Sequence, residues 1–187
     1  MNALFSRTVF AALLIFLAVP LSASAGAPAI GDDAPAFRLQ DQNNDWHTLE
    51  DYQGQWVVLY FYPKADTPGC TTEACSFRDD IFKFKKMGAK IVGVSLDDVA
   101  SQKEFAEKYS LPFALLSDAK SQTAKDYGVL GNLVLAKYAK RETFIISPTG
   151  KVAAHYKKVN PDKHSTEVLE DLKMLMKEQA GEAHDAP

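Results

Sequence analysis

The chain has 187 residues, 47% of them hydrophobic and 24% charged, with a formal net charge of −3. Nothing in so small and negative a net charge suggests nucleic-acid binding. The length sets a bound of one domain with a proper core.

Arg7 supplies a positive n-region, Val9 to Leu21 an apolar run of 13 residues, and Ala23-Ser24-Ala25 a small-residue cleavage site before Gly26, which together read as a secretory signal. An uncleaved anchor is the alternative, but Pro20 interrupts the run and a span needs about 20 apolar residues. The expectation is a signal peptide over 1–25 and a single domain over 26–187 with its core at about 30–180, periplasmic or otherwise exported and free of the membrane after cleavage. No cysteine near the cleavage site and no twin arginine redirects it. Removing residues 1–25 also removes Arg7, leaving a net charge of −4 with no nucleic-acid signal. The clusters Lys83 to Lys86 and Lys157-Lys158 read as solvated faces.

In chain order, an Ala, Gly and Pro-rich lead-in over 26–36 is followed by a hairpin of Phe37 to Leu39 and Asp45 to Leu49. Trp56 to Tyr62 is a continuous β-branched and aromatic run, the mark of a strand buried on both faces, and Pro63 ends it. Phe77, Ile81 and Phe84 predict one amphipathic helix from Thr71 to Met87, stopped by Gly88. A second buried strand over Lys90 to Ser95, a helix over Asp98 to Tyr109, a strand over Phe113 to Leu116 and a short helix over Ser121 to Tyr127 follow. Gly128 to Leu135 reads as an apolar loop. A hairpin of Glu142 to Ser147 and Lys151 to Val159 and a last helix over Ser165 to Gln179 complete the series, with 181–187 frayed. This order predicts an α/β fold of thioredoxin-like architecture: a mixed central sheet flanked by helices, with an N-terminal hairpin.

Both cysteines lie in Pro63-Lys64-Ala65-Asp66-Thr67-Pro68-Gly69-Cys70-Thr71-Thr72-Glu73-Ala74-Cys75, which leaves the carboxyl end of the first buried strand, where chemistry collects in open α/β sheets. Five residues on a helix rise about 7.5 Å and place the Cα atoms roughly 8 to 9 Å apart, whereas a disulfide needs less than about 7 Å. Cys70 and Cys75 can therefore join only if the helix unwinds. Taken alone, two cysteines in an exported chain default to a structural disulfide; their spacing does not suit zinc. Cys70 falls in the first helical turn, where free N–H groups and the macrodipole favour a thiolate. Thr67 reads either as the helix cap or as a hydroxyl facing a substrate oxygen. Pro63 and Pro68 restrict the loop, and Gly69 permits a close backbone approach.

The pattern Pro63-x-x-x-Thr67-x-x-Cys70 resembles the active-site signature of the peroxiredoxins, and Thr71-Thr72-Glu73-Ala74-Cys75 resembles the peroxiredoxin Q or bacterioferritin comigratory protein branch. The resemblance covers about residues 30 to 178. It implies a thiol-dependent peroxidase without a cofactor or metal, in which Cys70 attacks a hydroperoxide and becomes a sulfenic acid. Cys75 then resolves it as an intramolecular disulfide, and a thioredoxin-like dithiol restores both thiols. It further implies that Arg141, in Arg141-Glu142-Thr143-Phe144, stabilises the thiolate; by local sequence alone, an Arg at a strand start is a surface residue. Glu73 either orients Arg141 or serves the macrodipole. A monomer is implied, because a resolving thiol on the same helix needs no partner chain. His47, His155, His164 and His184 carry no sign of proximity to Cys70.

Two rival readings use the same fold. An exported thiol:disulfide oxidoreductase normally carries Cys-x-x-Cys and a proline opening the opposite strand, and Lys140 to Ser147 has no such proline. A copper-delivery protein needs closer cysteines and a histidine ligand, for which His155 and His164 are the candidates.

Overall fold

The computed structural model describes residues 26–134 and 136–184. The expected signal peptide, Leu135 and residues 185–187 lie outside the described residues. Among the described residues, nine short strands form one seven-stranded sheet and a separate two-stranded ribbon. At the centre of the large sheet β3 (Trp56–Phe61) runs parallel to β4 (Ala89–Ser95), and β4 runs parallel to β5 (Ala114–Ser117). The hairpin of β8 (Glu142–Ile146) and β9 (Val152–Tyr156) adds antiparallel to the other side of β3. The first hairpin, β1 (Arg38–Gln40) and β2 (Trp46–Thr48), closes the far edge beside β5. The order β2-β1-β5-β4-β3-β8-β9 is the mixed thioredoxin-like sheet that the sequence predicts.

Side chains alternate across a strand, and in β3 both sets are apolar, which divides the core in two. Val58 and Tyr60 join Phe77, Phe84, Phe105, Val168 and Leu172 on one face; Val57, Leu59 and Phe61 join Phe37, Ala124, Tyr127 and Phe144 on the other. The first face carries helices α1 (Pro68–Asp79), α2 (Ile81–Lys86), α3 (Val99–Tyr109) and α5 (His164–His184), and the second carries α4 (Gln122–Asp126). Each fully buried Phe contributes about 2 to 3 kcal/mol by area burial. Phe77 and Phe84, both 0% exposed, therefore fix α1 and α2 to the sheet.

Three expectations need correction. The single helix over 71–87 is two helices, beginning at Pro68 and breaking at Asp80. The Asp80 carboxylate accepts from Ser165 Oγ at 2.7 Å and Lys83 Nζ at 2.6 Å; Asp is a poor helix-interior residue because its side chain competes for backbone groups. The apolar loop after Gly128 contains a strand, β6 (Leu130–Asn132), which pairs with β7 (Lys137–Ala139). The last helix runs on to His184, so residues 181–184 are helical rather than frayed.

Candidate active site

The loop leaving β3 is tied down at two points before α1 begins. Asp66 sits in the left-handed region at φ 57°, a conformation Asp tolerates better than most residues. Its carboxylate accepts from Lys108 Nζ and Tyr109 Oη of α3, both at 2.6 Å. One residue earlier, the Ala65 N–H donates to Asp97 at 2.8 Å. Thr67 is then extended, Pro68 opens the helix with its fixed φ, and Cys70 enters the first turn with 2% exposure. Thr67 occupies the cap position without making a side-chain cap bond; its hydroxyl donates to the Lys64 carbonyl at 2.9 Å. The oxygen lone pairs of Thr67 are thus left to accept from another group.

The pairing of Phe61 with Glu142 puts Arg141 at the sheet end where this loop departs. Its guanidinium spans the site. Nη2 donates to Cys70 Sγ at 3.1 Å, while Nη1 donates to Glu73 Oε2 and lies 3.4 Å from the Gly69 carbonyl. Glycine at 69 leaves room for the guanidinium, since a Cβ there would stand 3.2 Å from Arg141 Nη2. Of the sequence-predicted residues, Cys70, Glu73 and Arg141 converge directly; Thr67 stands at the cap position three residues before Cys70 with its hydroxyl on Lys64, and Pro63 lines a cleft with Leu96, Leu133 and Tyr138. Cys75 is a free, half-buried thiol five residues along α1.

Charge is arranged around Arg141. Burial pushes the Glu73 carboxyl up to about 7 against the pull of Arg141. Burial also pulls Arg141 down, but the negative charges of Glu73 and Cys70 outweigh it and the guanidinium ends above its ordinary value. A positive, forked donor held beside a sulfur stabilises a thiolate and any negative charge developing next to it.

Sequence reasoning missed His164. The ring is fully buried, with Nε2 2.8 Å from Thr143 Oγ1 and 3.9 Å from Glu73 Oε1, so a histidine does stand behind the cysteine site. Burial and the charge of Arg141 push it down to about 4. The signal available was helical spacing: His164, Val168 and Leu172 lie four apart, and all three are buried. His155 is bonded instead to Glu142 at 2.7 Å and His47 lies against Tyr52 in the first hairpin.

Residues 30–155 match the AhpC/TSA family. The chain belongs to that family. It is 49% identical over 144 residues to the chloroplastic peroxiredoxin Q of Arabidopsis thaliana, covering 76% of this chain and 66% of that one. Among solved structures it is similar to a PrxQ of Xylella fastidiosa, with a TM-score of 0.75, 34% identity and coverage of 80% and 98%. It is also similar to the Xanthomonas campestris bacterioferritin comigratory protein, whose structure is described for alkyl peroxide reduction: TM-score 0.70, 36% identity, coverage of 74% and 90%. This peroxiredoxin is accordingly a thiol-dependent peroxidase. Its family implies a peroxide substrate and a thiol reductant.

Proposed function

We propose that Cys70 is the peroxidatic nucleophile of this enzyme and that Cys75 resolves it. The observation that carries the reading is Arg141 Nη2 at 3.1 Å from Cys70 Sγ, with a second free thiol on the same helix. The Cys70 thiolate attacks the terminal oxygen of a hydroperoxide. An S–O bond forms, the O–O bond breaks, and the leaving oxygen departs with a proton as water or an alcohol, the sulfur having lost two electrons. Arg141 stabilises the negative charge as it moves from sulfur to the leaving oxygen, and Thr67 Oγ1 accepts a hydrogen bond from the peroxide. Pro63 shields the sulfur from bulk water.

Cys75 then attacks the sulfenic sulfur, displacing water and forming the Cys70–Cys75 disulfide. Residues five apart on a helix sit roughly 8 Å or more apart, beyond the disulfide limit of about 7 Å. The first turns of α1 must therefore open. A thioredoxin-like dithiol, acting by exchange, returns both cysteines to thiols. Hydrogen peroxide and organic hydroperoxides are the proposed substrates; Leu96, Leu133 and Tyr138, which share a cleft with Pro63 as well as with Lys64, Asp97 and Lys137, offer apolar surface to the latter. The protein acts as a monomer, exported after loss of residues 1–25.

Rapid mixing of the reduced protein with hydrogen peroxide and with a bulky organic hydroperoxide, followed by mass measurement of the product, tests this. Fast loss of two hydrogens, abolished in Cys70→Ser, is expected. Oxidation no faster than that of a free thiol overturns the assignment.

A further inference from the structure

Glu73 is completely buried, yet only one of its two oxygens is hydrogen-bonded. Oε2 accepts from Arg141; Oε1 has no partner. His164 faces that free oxygen, with Nε2 3.9 Å away. The ring has little freedom: Nε2 is bonded to Thr143 Oγ1 at 2.8 Å, and the ring meets Phe77 of α1 and Tyr156 of β9 edge to face, at centroid distances of 5.5 and 5.1 Å. His164 therefore joins α1, β8, β9 and α5 immediately behind the peroxidatic turn.

We propose that His164 is a positioning residue of the peroxidase site: its neutral ring, with Nε2 3.9 Å from the free oxygen of Glu73, turns its dipole toward that carboxylate and so helps hold it against Arg141. The proposal rests on Cys70 being the reactive thiol. Glu73 faces Arg141 from the start of β8, Cys70 on its own helix, the Tyr60 hydroxyl from β3 and His164 from α5. His164 faces Thr143, Arg141, Tyr156 and Glu73, with Glu167 Oε2 4.0 Å from its Nδ1. With its own titration pushed down to about 4, the imidazole stays neutral while Glu73 titrates near 7. A cation at this position would compete with Arg141 for the carboxylate and repel the guanidinium; a neutral ring contributes only a dipole. When Glu73 gains a proton its hold on Nη1 weakens. Arg141, with 19% of its side chain exposed, can then swing away from the sulfur. Oxidation therefore has an acidic limb that follows Glu73, and His164 sets where that limb falls.

The test is the rate of Cys70 oxidation by hydrogen peroxide from pH 5 to 9 in the unaltered protein, His164→Leu and His164→Gln. In His164→Leu the acidic limb moves up by about one pH unit, so the rate at pH 6.5 falls by up to about tenfold and rejoins the parent by about pH 9. His164→Gln, which keeps a neutral side-chain dipole, stays within about threefold throughout. An unmoved limb, or a loss equal at every pH, overturns the proposal, since a packing role alone scales the whole profile. Should His164→Leu fail to fold, nitrogen-15 NMR of histidine-labelled unaltered protein decides the matter. The His164 resonance shifts as Glu73 titrates near pH 7 and loses that step in Glu73→Gln; a flat resonance sinks the idea. That measurement uses no peroxide, so it stands apart from any failure of the Cys70 assignment.

Discussion

Arg141 reaches Cys70 across 71 positions of chain, donating from Nη2 to Sγ at 3.1 Å while its other terminal nitrogen holds Glu73. One planar fork thus serves two acceptors at once, which a lysine ammonium cannot reproduce. Arg141→Ala should slow oxidation of Cys70 by about 10²-fold or more. Arg141→Lys should recover only part of that loss. Stopped-flow oxidation under pseudo-first-order peroxide checks both, and a rate unchanged in Arg141→Ala removes the residue from the site.

Cys75→Ser should undergo one oxidation at a rate close to that of the unaltered protein and then stall, because no second thiol remains on α1. Mass spectrometry with a sulfenic-acid trap should find the adduct on Cys70. Sustained turnover of Cys75→Ser with a thioredoxin-like dithiol as sole reductant would show that the resolving role is misassigned.

Gly69→Ala is a small change with a defined target. The new methyl would stand 3.2 Å from Arg141 Nη2 and 3.8 Å from Pro161 Cγ. The guanidinium has to give way by a few tenths of an ångström, so oxidation should slow by roughly three- to thirtyfold, while the melting temperature barely moves. An unaffected rate would show that the fork tolerates displacement.

Stability should carry the signature of two buried groups acting in opposite senses. Glu73 is raised from 4.5 to about 7, so the folded state binds its proton more tightly; that contribution is full below about 4.5 and is lost as pH rises through 7. His164 is lowered from 6.5 to about 4, so its contribution is full above 6.5 and is lost as pH falls through 4. Between about 4.5 and 6.5 the two slopes, each at most about 1.4 kcal/mol per pH unit, oppose one another. Above 6.5 Glu73 acts alone. Urea unfolding of the reduced protein should therefore show a decline from pH 6.5 to 8 that Glu73→Gln abolishes; a decline of equal size in both proteins refutes the assignment.

Much of this site is legible in the chain. The β3 and β4 runs announce themselves because a doubly buried strand has to be apolar at every position, and the cysteine loop follows directly from where β3 ends. Arg141 is different. Its partners lie far away in sequence, and only the likeness of Arg141-Glu142-Thr143-Phe144 to a known signature singles it out. His164 was overlooked because a polar residue at a helix start ordinarily faces water, although its spacing to Val168 and Leu172 marks the inner face. The β6 and β7 strands are three residues each, too short for an alternating pattern to declare itself. The break at Asp80 depends on Ser165 and Lys83, and a contact to Ser165 leaves no local trace.

That break has a bearing on how the enzyme survives its own cycle. Phe84 stays wholly buried in α2, and Asp80 is pinned to Ser165 across the seam. Were residues 68–86 one unbroken rod, fraying at the cysteine end would loosen the anchorage of the entire face with each round of oxidation. On the proposed mechanism the seam would act as a firebreak: opening within the 12 residues of α1 would stop at Asp80, and the rest of the layer would stay docked to guide the chain home once the thiols are regenerated.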